Sequence, residues 1–200
     1  MGLDLTLCMA DWARWGEVPV ERRIDALTDA LWQAECEDDD HRNGPPRRSE
    51  PAWCAEYVFR TTTGSYRPHS RAGDAWDDLR PLVEAPLRAA MDTFLDGLIW
   101  DSDPADDPAL TGGGGFLPPG DDPWRPRVLL VCPPTALPDK ARAWQRAEPR
   151  LAELRGPFAA ECEGWAGRPA TFEEFTALLR EWGEATTEAA RRGWGLVGLP

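Results

Sequence analysis

The chain contains, at residues 171–199, the stretch TFEEFTALLREWGEATTEAARRGWGLVGL. Thr171 followed three residues later by Glu174 is a capping box, a pattern that begins helices. Gly193 is placed to end the same helix, because glycine adopts the left-handed cap conformation at low cost. The stretch therefore predicts a helix over 172–191, and apolar residues at intervals of three and four define its buried face: Phe172, Phe175, Leu178, Leu179 and Trp182.

The rest of the chain supplies further strands and helices. Alternating or continuous apolar runs predict four strands in all, at 3–9, 53–62, 128–131 and 194–199. Helical spacing predicts helices at 18–36, 86–98, 138–147 and 149–162, with a short one beginning after Asp74. We therefore expect an α+β fold, in which a small mixed sheet of about four strands is packed by several amphipathic helices.

A chain of 200 residues favours a single domain spanning 1–200. Residues 101–126 interrupt the helix and strand patterns with acidic residues, four consecutive glycines and several prolines. Such a stretch inside a compact domain is usually a functional loop or a linker. Since neither half has an obvious complete core of its own, we expect a long acidic surface loop at 101–126, outside the core.

Charge and composition restrict the partners. The net charge is −13, and an acidic surface repels the phosphate backbone of nucleic acids, so a basic protein partner is favoured and nucleic acid is not. No apolar run is long enough to span a membrane. Five scattered cysteines without a secretion signal indicate reduced thiols in a cytoplasm. The abundance of Arg over Lys, with much Ala, Gly and Pro, suggests a bacterial genome.

The densest polar cluster lies in a predicted turn over 64–73 and the residues after it. It contains one of the two histidines, and histidine changes charge near neutral pH. The cluster could bind a small anionic ligand or serve acid–base chemistry; the alternative is a solvated turn whose arginines balance nearby acids. The candidate ligand-binding residues are Tyr66, Arg67, His69, Arg71, Asp74 and Trp76.

No complete catalytic or metal site is apparent. Cys54, His69 and Asp74 could form a thiol triad, but strand alternation disfavours the orientation of Cys54. His41 and His69 stand apart from each other and from cysteine pairs, so no zinc site is predicted. The acidic run at 101–107 lacks the spacing of a calcium loop. We therefore predict no catalytic residues, no metal and no cofactor.

Eleven tryptophans are spread along the chain. Trp32, Trp53 and Trp182 lie on or beside apolar stripes and are predicted to be core residues. Six others lie near glycine, proline or charged residues at element ends, where they either line a groove or cover the ends of the core: Trp12, Trp15, Trp76, Trp100, Trp124 and Trp165. The single lysine, Lys140, is predicted to lie on a polar helix face.

Residues 127–199 carry an ordered set of features. An apolar strand ends in proline, a helix pair precedes Gly156-Pro157-Phe158, and Ala189-Ala190-Arg191-Arg192-Gly193 leads into the last strand. Together with the Met1-Gly2 start, this layout resembles the YfbM-like family of bacterial domains. The resemblance implies a similar fold and no particular activity, and no family catalytic residue is carried over to this chain.

Taken together, these features favour a bacterial cytoplasmic protein that is a non-catalytic acidic interaction protein, of the immunity or inhibitor kind. Aromatic anchors surrounded by charge are common at tight protein interfaces. The alternative is a small-ligand-binding protein or an enzyme that uses the Tyr66–His69–Arg71 region.

Overall fold

The structure is a computed structural model, and it describes residues 3–40, 52–100, 116–118 and 127–200. Its sheet has the order β2–β1–β4–β3, and each neighbouring pair is antiparallel. The strands are β1 (Thr6–Ala10), β2 (Cys54–Tyr57), β3 (Leu130–Cys132) and β4 (Gly195–Leu199). The α+β fold with about four strands is confirmed. The expected mixture of parallel and antiparallel strands is not observed. The connections between strands are long enough to allow either direction, so the sequence did not determine the direction of each strand.

Helices cover both faces of the sheet. Short 3₁₀ turns precede or separate them at Val20–Arg22, Arg80–Leu82 and Glu148–Leu154. The helices are α1 (Trp12–Glu17), α2 (Arg23–Asp40), α3 (Arg67–Leu79), α4 (Ala85–Leu95), α5 (Leu137–Ala147), α6 (Arg155–Glu161) and α7 (Phe172–Arg192).

Helix α7 forms as its sequence predicts. Thr171 Oγ1 accepts a hydrogen bond from the backbone N–H of Glu174 at 3.1 Å. At the other end Gly193 has φ of 69°, and the N–H of Trp194 bonds to the carbonyl of Ala189 at 3.0 Å. This pattern is a Schellman cap, which satisfies the last carbonyls of the helix and turns the chain into β4.

Helix α3 corrects the predicted turn over 64–73. The helix begins at Arg67, with Pro68 in its first turn, where the missing N–H costs nothing. Gly73 lies inside it and allows a close approach, since a Cβ there would be 1.9 Å from the carbonyl oxygen of Ile99. Of the polar residues that suggested a turn, Arg67 and Asp74 lie on the outer side of this helix, whereas His69 points into the core.

The larger core lies between one face of the sheet and helices α3 to α7. Leu7 and Met9 of β1 and Leu196 of β4 contribute from the sheet. Helix α7 packs closely on α5, because a Cβ at Gly183 would lie 2.1 Å from the ring of Trp144. The fully buried large side chains of this core include Trp76, Leu87, Met91, Phe94, Leu95, Phe175 and Trp182.

A second core lies on the other face of the sheet, beneath α1 and α2. Strand alternation directs Cys8, Val131 and Val197 to this side. Helices α1 and α2 cover them with apolar side chains, among which are Trp15, Ile24, Leu27 and Leu31. The sheet is thus the middle layer of three.

Two described residues of the 101–126 segment, Phe116 and Leu117, belong to this second core. Leu117 is 3% exposed, and the ring of Phe116 stacks on Trp12 at a centroid distance of 4.7 Å. The guanidinium of Arg23 lies over the Phe116 ring and donates a hydrogen bond to its carbonyl. The expectation of a segment wholly outside the core therefore fails at residues 116–117. The remainder of the segment is outside the described residues.

Candidate functional site

Helix α3 separates the residues that the sequence suggested as one site. Because a helix turns about 100° per residue, neighbours in sequence point in different directions. His69 and Trp76 are fully buried, whereas Arg67 and Asp74 are exposed. Tyr66, the residue before the helix, is half-buried and lies beside His69, with ring centroids 6.3 Å apart.

The polar groups of this region are engaged within the fold. The guanidinium of Arg71 donates to the carbonyl of Ala166 at 2.8 Å, and Asp74 pairs with Arg168 at 3.6 Å. Trp76 Nε1 donates to Asp92 at 3.1 Å. These groups therefore do not converge on a common ligand position.

His69 is a core residue in an aromatic environment. Its Nδ1 accepts a hydrogen bond from Trp182 Nε1 at 3.0 Å, and the Phe59 ring lies edge-on at 4.5 Å. Among the described residues, Nε2 has no hydrogen-bond partner. Burial lowers the pKa of His69 from 6.5 to about 4, against a smaller opposing effect of Glu181. The imidazole is consequently neutral at pH 7.

The thiol triad that the sequence disfavoured does not assemble. Cys54 lies in the second core, whereas His69 packs against Phe59 and Trp182 of the first, on the other side of the sheet. Burial raises the pKa of the thiol of Cys54, and of Cys132 and Cys162, to about 11 in each case. A nucleophilic cysteine requires the opposite shift.

A buried carboxylate that the sequence did not reveal lies close to this region. Glu181 of α7 is 2% exposed and accepts hydrogen bonds from the backbone N–H groups of Arg60 and Thr61 at 2.7 and 3.3 Å. The Thr61 hydroxyl and the Arg60 guanidinium also donate to it. Burial raises the pKa of Glu181, but these hydrogen bonds outweigh that effect and hold it below its ordinary value. Glu181 thus fastens the chain after β2 to α7.

Lys140 corrects another prediction, since it is buried rather than on a polar face. Its ammonium donates to the carbonyls of Thr93 and Asp96, at the carboxyl end of α4. A cation is favoured there by the helix dipole and by carbonyls that lack partners within the helix. The side chain is therefore structural and unsuited to covalent catalysis.

The tryptophans are distributed differently from the prediction. Trp182 is buried as expected, but Trp53 is half-buried and Trp32 is 66% exposed. The neighbouring Leu31 takes the inward position of α2 instead. Trp15 and Trp76, two of the residues suggested for a groove, are fully buried. Trp165 is 69% exposed, Trp12 and Trp100 are half-buried, and Trp124 is outside the described residues.

The outer face of α2 carries an exposed acidic and aromatic surface. Asp25, Asp29 and Trp32 recur at intervals of four and three, so they share one face of the helix, and the exposed Glu21 lies in the 3₁₀ turn just before it. We call these four residues the α2 stripe. Asp25 pairs with Arg127, whereas Glu21 and Asp29 form no ion pair with any other described residue.

Shallow grooves flank the α2 stripe on both sides. One, of about 430 Å³, lies towards the end of β4 and is lined by Ile24, Asp25, Thr28, Asp29, Arg127, Leu199 and Pro200. The other, of about 490 Å³, lies towards α1 and is lined by Arg14, Glu17, Val18, Ala26, Asp29, Ala30 and Trp53. Asp29 contributes to both.

The part of the chain that the structure describes holds no group of three or more His, Cys, Asp or Glu residues placed to bind a metal ion. Within the same residues, no helix combines the length and apolar character that a membrane span requires.

Comparisons of the chain with protein-family models, with curated proteins and with solved structures find no match. The resemblance to the YfbM-like family therefore stays a prediction.

Proposed function

We propose that this protein is a non-catalytic acidic interaction protein that binds a basic protein partner through the face of α2. The observation that carries the proposal is the α2 stripe, in which Glu21 and Asp29 form no ion pair with another described residue and the indole of Trp32 is exposed. Surface tryptophan surrounded by charge suits a protein interface, since indole combines a large apolar area with one hydrogen-bond donor.

The net charge of the chain supports a negative field around the protein. Most described arginines pair with acids of the same chain and are thereby neutralised, among them Arg60, Arg80, Arg150, Arg155, Arg168, Arg191 and Arg192. The surplus of acids in a chain of net charge −13 is left to face solvent. Such a field accelerates association with a basic partner and disfavours acidic ones.

The proposal includes a cytoplasmic location and an inhibitor-like role, in which binding masks the partner's basic surface. Free, buried cysteines are compatible with a reducing compartment. The alternative, an enzyme or small-ligand protein using Tyr66, His69 and Arg71, has the burial of His69 and the intramolecular hydrogen bond of Arg71 against it.

The test is comparative capture from the native cytoplasm. The bait would be the wild-type protein, a Glu17→Gln/Glu21→Gln/Asp29→Asn variant and a control with the same change of charge, Glu148→Gln/Glu161→Gln/Glu163→Gln. The control residues are exposed acids on the side of the sheet that carries α6.

We expect a basic protein that is retained by the wild type and the control and lost from the α2 variant, with weaker retention as salt rises. Retention of the same partner by all three baits would place the binding surface elsewhere. A small-molecule turnover activity in the purified protein would overturn the non-catalytic role.

A further inference from the structure

The groove between α1 and α2 has a floor that allows close approach. Ala26 and Ala30 lie one turn apart on the same flank of α2, and both are half-buried. Ala30 and Trp53 pack against the second core, so the floor rests on rigid structure. Small residues spaced by four let another helix lie near the backbone of α2, as ridges of one helix fill the grooves of another.

The rim of this groove is acidic. Glu17, at the end of α1, and Asp29, on the outer side of α2, are both exposed. Arg14 also lines the groove, with its guanidinium 3.9 Å from the carboxylate of Asp11, so the charged residues of the lining are two acids and one arginine. An apolar floor with carboxylates on its rim is complementary to a helix with one apolar face and flanking lysines or arginines.

We propose that this groove docks a basic amphipathic helix of the partner. The inference rests on the proposed function and specifies the partner's form. Leu or Ala side chains of that helix pack over Ala26, Ala30 and Trp53, and its basic side chains face Glu17 and Asp29. An acidic surface alone would bind any polycation. Because the alanine floor contacts apolar side chains, binding here also requires the partner to place its apolar and basic residues on separate sides of a helix.

The test uses defined peptides of about 14 residues, which span about 20 Å as a helix. One peptide carries Leu and Ala at helical spacing with Lys on the flanks, and a second has the same composition in an order that destroys the apolar face. Affinities are measured for the wild type and for Ala30→Trp, which fills the groove without changing charge. A second variant, Glu17→Arg/Asp29→Arg, reverses the rim charge and leaves the floor intact.

We expect the amphipathic peptide to bind the wild type at least about tenfold more tightly than the scrambled one, and each variant to lose about tenfold or more. The Glu148→Gln/Glu161→Gln/Glu163→Gln control should change affinity less than about twofold, because exposed charges far from the contact are screened. Circular dichroism and thermal unfolding establish that each variant is folded.

Equal binding of the two peptides, with loss only in the charge-reversed variant, would overturn the groove while leaving an acidic binding face. Undiminished binding by both groove variants would overturn it as well. Absence of binding by either peptide, together with capture of no basic partner, would overturn the groove and the proposed function together.

Discussion

The indole Nε1 of Trp182 donates a hydrogen bond to Nδ1 of His69 at 3.0 Å, inside the larger core. The bond requires an unprotonated Nδ1, so the imidazole is held neutral with its proton on Nε2. It joins the first turn of α3 to the middle of α7. The histidine that the sequence offered as a candidate for acid–base chemistry is thereby part of the packing between two helices.

This pair predicts a pH-dependent stability. The pKa of His69 is lowered to about 4 in the fold and is near 6.5 when unfolded, so protonation favours the unfolded chain. The stabilisation is complete above about pH 6.5 and declines as pH falls towards 4, by about 3 kcal/mol in total.

Urea unfolding at pH 7.5 and pH 5 measures this loss, with His69→Gln as the reference, because glutamine accepts from Trp182 and does not titrate. The wild type should lose more stability than the variant between the two pH values. An identical loss in both proteins would show that other groups carry the pH dependence.

Lys140 should contribute to stability through the end of α4. Its replacement by methionine leaves the carbonyls of Thr93 and Asp96 without their donor, which should cost about 1–3 kcal/mol. Arg146 is exposed on α5, the helix that carries Lys140. Arg146→Met should change the free energy of unfolding by less than about 0.5 kcal/mol. Equal effects in thermal unfolding would contradict the capping role.

Glu181 and Glu184 lie three residues apart on α7, but they should contribute differently to the free energy of unfolding. Glu181→Gln removes acceptor capacity from the N–H groups of Arg60 and Thr61, and we expect a loss of about 1.5–3 kcal/mol. Glu184 is exposed and pairs with Arg60, so Glu184→Gln should cost less than about 1 kcal/mol. Chemical denaturation of the two variants gives the comparison, and the reverse order would refute the buried role of Glu181.

Phe116 and Leu117 should be required for the stability of the second core, although the residues around them in the sequence are mostly polar. Leu117→Ala removes a buried side chain from the second core and should cost about 2–5 kcal/mol. Phe116→Ala removes the ring between Trp12 and Arg23 and should destabilise as well. If calorimetry finds both variants as stable as the wild type, the packing at 116–117 is dispensable.

Sequence patterns predicted the fold better than the candidate site, because helix caps are local whereas the direction of a side chain depends on the helix around it. The caps of α7 are local, so Thr171, Glu174 and Gly193 were sufficient to define it. The cluster at 64–74 was compact in sequence, but helical rotation sends His69 inwards and Asp74 outwards. Leu31 and Trp32 are adjacent apolar residues of α2, and the apolar pattern did not show which of them faces the core.

Long-range contacts account for the rest. Glu181 is recognisable only through its hydrogen bonds to residues more than a hundred positions away. Ala30 and Trp53 line the groove beside α2 together. The pairing of β2 with β1 brings Trp53 to this position. No pattern within a single element carries that information.

Amide hydrogen exchange of the protein alone and with the captured partner shows whether the α2 face binds a basic partner. We expect slower exchange on binding in residues 17–32 and at residue 53, with residues 60–74 unchanged. Protection confined to residues 60–74, with the α2 face unaffected, would contradict it.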